Sequence, residues 1–376
     1  MRTAVSVPGA RLRHWLWIAL RLALCAAAVA YVISRTDFYD KVWLVGQEAP
    51  VRLLGLDPAS ARILQADQPR TVPIDQLQTG TDGKPRVSWG LASLASRSHK
   101  GLLLLALGIY ALQPLLQVVR FRWMLRLQNL ATSWRGAAAI CFVGNFYCYV
   151  IPGTTGGDIV RAAYLMRNSV GRHGGLVAII LDRLTGMAGM FLLAGLAGLA
   201  IPIEDPTVRY IARLSLVMFA AMVVGFAAVT GWQWVTRLLG RLPLGDHLQR
   251  LYEAASAGRR GWPVLLASVG LTIMLQAGSM ASFSVAAVAL GMKPVWQLYF
   301  VCLPAALVVA AIPIVPMGAG TLEAAMIFLL AERAGSVSQV VGLAFAMRMI
   351  GLIWALPGGL VPLMRPVSVR SEPVRQ

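Results

Sequence analysis

The chain has 376 residues, of which 57% are hydrophobic and only 13% charged, and its mean hydropathy is +0.67. Soluble globular proteins carry about a quarter charged residues, so this composition excludes that class and indicates a polytopic membrane protein. A net charge of +18 would suggest nucleic acid as the partner of a soluble chain, but here Lys and Arg cluster at the ends of apolar runs, where they orient a chain and attract anionic headgroups.

Arg2, Arg11 and Arg13 precede a first apolar stretch, 15–34, which is longer than the apolar part of a signal peptide and reads as a retained first helix. Residues 36–99 are the one sizeable hydrophilic piece. Their short runs KVWLVG, VRLLGL, ARILQ and PRVSW, separated by Pro58, Pro69, Pro73 and Gly83, predict a small β-rich module. At about 60 residues it is marginal alone and is expected to pack on the membrane part. Full spans are predicted at 101–120, 175–201, 210–231, 262–290 and 338–364, with broken apolar stretches at 134–172 and 296–334.

Orientation follows from the basic residues. Arg237, Arg241, Arg250, Arg259 and Arg260 place 232–261 inside, while 202–209 and 291–295, with only Arg209 and Lys293, lie outside. Arg120, Arg122, Arg126 and Arg135, and later Arg365, Arg370 and Arg375, agree with both termini being cytoplasmic. The stretch 134–172 then begins and ends inside, and 296–334 begins and ends outside. Three crossings separate them, so the two broken stretches have inverted topology. Read as dips, they leave about six full spans; read as double crossings, about ten; the compromise is about eight membrane helices including two re-entrant or broken hairpins.

The two breaks carry the same device. IPGTTGGDIVRAAYL is followed by LDRLTG, and VPMGAGTLEAAMIFLL by AMRMIG; Pro152 to Arg183 is 31 residues, Pro316 to Arg348 is 32, and a Gly follows each Arg at the third position. Paired, broken apolar segments in corresponding halves point to the central site of a transporter. Charges within membrane helices are costly, so Asp158, Arg161, Asp182, Arg183, Glu323 and Arg348 must face one another or a wet cavity, unless, as for Asp182, they snorkel to the interface. The turns containing Gly156, Gly157, Gly318 and Gly320 open helices whose free N–H groups suit a phosphate, or serve only to let the chain turn back. Asn145, Tyr147 and Tyr149 place polar groups just before the first break. Cys25, Cys141, Cys148 and Cys302 lie in apolar segments and the four His are scattered, so neither a disulfide framework, a metal centre nor a cofactor is indicated.

The runs GNFYCYVIPGTTGGDIVRAAYL, LDRLTG and PMGAGTLE resemble the membrane region of the lysylphosphatidylglycerol synthase/flippase family over most of 101–364. The resemblance points to Asn145, Pro152, Gly157, Asp158, Arg161, Asp182, Arg183, Pro316, Gly318, Gly320, Glu323 and Arg348; all but Pro152 and Pro316, together with Gly156, are the expected substrate-binding positions. It implies an all-α polytopic fold and a flippase-like carrier of a polar or anionic (glyco)phospholipid headgroup in a bacterial-type inner membrane; the β-rich insertion, external by the charge topology, exceeds the short first loop expected of the family. Bifunctional members add a soluble aminoacyl-transferase domain after the membrane part; this chain ends about a dozen residues past its last span, so synthase activity is not expected. The expected organisation is 1–35 tail and first helix, 36–99 external module, 100–365 flippase-like region and 366–376 cytoplasmic tail. The partner is a membrane lipid, not nucleic acid, and without an ATP-binding motif movement is facilitated or ion-coupled. Two other readings remain open: a polyprenyl-phosphate-dependent glycosyltransferase using Asp37 or Asp40, and a non-transporting envelope scaffold.

Overall fold

Alternating apolar residues build the N-terminal sheet. In the computed structural model, which describes residues 30, 33–34, 38–47, 49–65, 68–79, 85, 87–150, 156–166, 172–200, 205–231, 261–311, 320–363 and 369–371, β1 (Lys41–Val42), β2 (Val51–Leu56), β3 (Ser60–Gln65), β4 (Gln68–Pro73) and β5 (Val87–Ser88) form one antiparallel sheet in the order β4-β3-β2-β1-β5. Val42, Leu53, Ala61, Ile63, Val72 and Leu77 make its core. β4 was not expected, because Pro69 and Pro73 read as punctuation. As an edge strand it tolerates both prolines, since one side of its backbone needs no ladder donors.

Trp89 and Asp40 join the sheet to the helical region. Trp89 packs against both cores. Asp40 accepts the Gly90 N–H at 2.8 Å and the Ser93 hydroxyl, and so ties the sheet to the start of α1 (Leu91–Arg97). Leu94 of α1 then lies against Gly342.

Helices follow: α2 (Lys100–Tyr110), α3 (Leu112–Leu127), α4 (Trp134–Val150), α5 (Gly156–Met166), α6 (Arg172–Ala200), α7 (Pro206–Gly231), α8 (Trp262–Ala289), α9 (Trp296–Ala311), α10 (Thr321–Leu330) and α11 (Val337–Ala355). Among the described residues, five stretches are long and apolar enough to cross a bilayer: Lys100–Leu127, Gly174–Ala200, Pro206–Ala228, Trp262–Ala289 and Val337–Val361. They correspond to the five predicted beyond residue 100; the predicted span 15–34 lies almost wholly outside the described residues. Among the described residues little covers Pro206–Ala228, and its apolar surface suits the hydrocarbon of a bilayer. α4 and α9 have 17 and 16 residues, about 26 Å at most, against a hydrocarbon core of about 30 Å.

Contacts sort the helix ends. The His99 N–H reaches Ala289, the Lys293 N–H reaches Ala334, Gln339 reaches Leu290 and Arg333 pairs with Asp205, which gathers one set of connections. At the other end β6 (Leu130–Thr132) pairs with β7 (Val369–Ser371), Gln128 lies beside Gly174, and Trp123 and Arg126 share a groove with Pro263 and Val264. Thus α4 begins, and α5 finishes, at the end holding 128–134, where Leu165 meets Gly175. α9 begins, and α10 finishes, at the opposite end. These groups coincide with the inside and outside sets read from charge.

Candidate functional site

Buried charge marks the first site. Asp182, 4% exposed, accepts from Arg120 Nε at 2.8 Å, and Arg120 also donates to Thr272 Oγ1 at 2.9 Å. Arg161, 6% exposed, donates to Asn145 Oδ1 at 2.7 Å and to the Cys141 carbonyl at 3.4 Å. Its guanidinium stands 3.5 Å from Asp158 and 4.0 Å from Asp182. Asp158 is itself bonded to Arg183, and Asn145 donates to Gln117 Oε1 at 2.8 Å. Five helices, α3, α4, α5, α6 and α8, therefore meet through polar side chains, and removing one member of such a buried set leaves its partner uncompensated.

Two glycines make room for this. A Cβ on Gly144 would lie 2.2 Å from Arg161 Nε, and one on Gly157 would lie 2.2 Å from the Gly144 carbonyl oxygen. α4 and α5 thus cross at backbone contact, and the Arg161 side chain runs along the seam. Gly156 and Gly157 are buried in the first turn of α5.

The second site is smaller. Glu323, in the first turn of α10, takes Arg348 Nε and Nη2 on Oε1, each at 2.9 Å, and the Gly320 N–H on Oε2 at 2.8 Å. Gly320 has φ +83°, a conformation that favours glycine. Gly318, Pro152 and Pro316 lie outside the described residues.

Between the two sites is a cleft of about 350 Å³. Gln113, Asn145, Tyr149 and Arg348 supply its polar wall; Phe283, Leu307, Leu322 and Trp354 supply the apolar one. Its floor is tight at Gly351, where a Cβ would lie 2.2 Å from the Tyr149 hydroxyl.

Residues 90–358 match the family model described as the lysylphosphatidylglycerol synthase TM region. The chain belongs to this family. No curated protein and no solved structure matches it. The family region opens at Gly90, just after β5, so the sheet stands outside it while both charge sites and the cleft stand within. Inside this lysylphosphatidylglycerol synthase TM region, a shift of 165 residues carries Asp158 onto Glu323, Arg183 onto Arg348 and Gly186 onto Gly351. In each half the acid and its arginine partner are 25 residues apart.

The structure brings Asn145, Asp158, Arg161, Asp182 and Arg183 into one cluster and Gly320, Glu323 and Arg348 into another. Asp182 is buried in that network. Arg120, Gln117 and Thr272 were missed as site members. Arg120 reads in sequence as one of several basic residues closing a span, yet its spacing of three from Gln117 puts two polar groups on one face of an apolar helix, and that was the available signal. Among the described residues, no group of three His, Cys, Asp or Glu side chains is placed to hold a metal.

Proposed function

We propose that the chain is a flippase-like carrier, without catalytic chemistry of its own, that passes a polar or anionic lipid headgroup through the cleft between α4–α5 and α10–α11. The observation that carries this reading is the cleft itself: Asn145 from one broken segment and Arg348, paired to the other, face the same space beside an apolar wall. A headgroup would occupy the polar side while its acyl chains remain in lipid. The two broken segments act as re-entrant hairpins of an inverted repeat, and their entry from opposite ends of the bundle suits alternating access. Both termini lie on the cytoplasmic side of a bacterial-type inner membrane, with the sheet outside.

The glycosyltransferase alternative gains no support from Asp40, whose carboxylate is already taken up by the Gly90 N–H and the Ser93 hydroxyl; Asp37 lies outside the described residues. The test is headgroup translocation in proteoliposomes. Arg161→Ala and Glu323→Ala are each expected to slow it, and undiminished transport in both would remove the proposed site.

A further inference from the structure

The outer face of the N-terminal sheet carries charge where a strand pair would avoid it. Val42, Leu53, Ala61 and Ile63 point into the sheet's core, so their neighbours Lys41, Arg52 and Arg62 share the opposite face. Lys41 of β1 stands directly across from Arg52 of β2, and like charges in that relation weaken an antiparallel pair. Arg52 and Arg62 are exposed, as is Arg97 at the end of α1, and none of the three has a carboxylate partner among the described residues.

Two of these guanidiniums are held in place by rings. Arg52 stacks on Tyr39 and Arg97 on Trp89, each 3.6 Å from the ring centre. Stacking leaves the N–H edge of a guanidinium open to an anion, and its planar fork matches phosphate oxygens. Tyr39 is 56% exposed, and Leu54, at the bulge of β2, 48%.

These groups stand close to the bilayer. A Cβ on Gly90 would lie 2.5 Å from the Tyr39 carbonyl carbon, so the Tyr39 backbone rests on the residue that opens α1. Only α1, seven residues or about 10 Å of helix, and the turn at His99 separate Gly90 from the crossing Lys100–Leu127. A headgroup layer about 5–7 Å deep lies beyond the hydrocarbon, and the potential of an anionic surface reaches about 8 Å further at physiological salt. The Tyr39 backbone is therefore within that field even with α1 upright. The mixture of groups selects the occupant: a soluble polyanion would leave Tyr39 and Leu54 bare, whereas a lipid surface takes cations at its phosphates and apolar side chains just beneath them.

We propose that the outer face of the sheet docks on the anionic headgroups of the leaflet in which α2 begins, with Arg52, Arg62 and Arg97 reaching lipid phosphates and Tyr39 and Leu54 entering the headgroup layer. Docking holds the sheet to the membrane in addition to the Trp89 and Asp40 contacts, and it does not depend on the carrier reading.

Arginine footprinting of the full chain in lipid nanodiscs tests this. The water-soluble guanidinium reagent p-hydroxyphenylglyoxal is offered to discs of phosphatidylcholine alone and of phosphatidylcholine mixed with phosphatidylglycerol, and each arginine is read by mass spectrometry. Modification of Arg52, Arg62 and Arg97 is expected to slow about fivefold in the mixed discs, the weight of one basic residue near an anionic surface, and to recover at high salt. Arg70, exposed on edge strand β4 across from the core residue Ile63, is the internal control and keeps its rate. Tyr39→Ala combined with Arg52→Gln, two changes at exposed positions, is expected to return Arg62 to its rate in phosphatidylcholine. Equal rates in the two kinds of disc, equal protection of Arg70, or protection of Arg62 untouched by the double variant overturns the proposal. Protection by soluble polyglutamate in phosphatidylcholine discs, without protection by phosphatidylglycerol, overturns it as well and assigns the face to an acidic polymer.

Discussion

The two halves of the helical region share a skeleton and differ in what fills it. Each has a helix of 16 or 17 residues, a break, a short helix with an acid in its first turn, and a long helix whose arginine holds that acid. In the first half the seam between α4 and α5 is made by Gly144 and Gly157 and is filled by Arg161; the corresponding residues of the second half are Val309, Leu322 and Met326, of which Leu322 and Met326 are buried in the apolar core while Val309 is exposed. A buried guanidinium in one hairpin thus stands where the other has buried aliphatic side chains. The repeated acid–arginine pair is the part the architecture requires twice. The polar set around Arg161 is an addition to one copy, and it is where binding specificity is to be sought.

The comparison breaks most visibly at Asp182. Asp182→Met, which imitates Met347, leaves Arg120 without its carboxylate and costs about 3–5 kcal/mol, the scale for stripping one partner from a buried ion pair. Adding Arg120→Val, after Val285, removes the stranded charge and should recover most of the loss. The fraction of monodisperse protein after detergent extraction, together with its melting temperature, reads both effects. A single variant as stable as the parent, or a double variant no better than the single, would mean that the pair is not the buried element described here.

The repeated pairs should differ in weight. The Glu323 and Arg348 side chains are 14% and 20% exposed, whereas Asp158 and Arg183 are 24% and 36% exposed. Glu323 also secures the Gly320 N–H at the entrance to α10. Glu323→Gln is therefore expected to cost about 1.5–3 kcal/mol, the range for hydrogen bonds to a charged group, and Asp158→Asn less. Melting temperatures of the two variants in the same detergent decide the order, and a larger loss at Asp158 would reverse the assignment of which hairpin is held more firmly.

Gly157 tests the seam. Gly157→Ala places a methyl where the Gly144 carbonyl lies and should cost about 1–3 kcal/mol by overpacking, whereas Leu322→Ala in the other hairpin loses packing without any clash. The two variants should also part in function: transport falls with Gly157→Ala through displacement of Arg161, and Leu322→Ala alters only the apolar wall of the cleft. Equal transport by both would detach the Gly144–Gly157 crossing from the site.

Much of this was legible in the chain. Apolar runs of about 20 residues and the distribution of arginines located five spans and the two sets of loops, because span length and interfacial charge are set by the bilayer and are local in sequence. The acid–arginine pairs were legible as a repeat. Their partners were not: Arg120 and Asp182 are 62 residues apart and Arg120 and Thr272 are 152 apart, and nothing local announces such a meeting. β4 was hidden for a different reason. Pro69 and Pro73 speak against a strand until the sheet order puts them on its edge, and that order is a long-range property.

The smallest effect lies outside the repeat and checks the sorting of loops on which the comparison depends. Asp205, just before α7, pairs with Arg333 in the turn between α10 and α11, and Arg333 also donates to the Phe328 carbonyl at 3.0 Å. The Arg333 hydrogen bond holds the Asp205 carboxyl below its usual range, helped by the Val208 and Thr207 N–H groups and opposed by partial desolvation. A lowered carboxyl pKa stabilises the folded state above the ordinary carboxylate range, and that contribution disappears as pH falls through the folded-state pKa. Asp205→Asn should therefore lower the melting temperature slightly at neutral pH, by less than about 1 kcal/mol for a partly exposed pair, and the gap from the parent should close on acidification below the ordinary carboxylate range. A gap that widens with acid, or that is insensitive to high salt and pH alike, would show that Asp205 and Arg333 do not meet, and with them the two loops that share this end of the bundle.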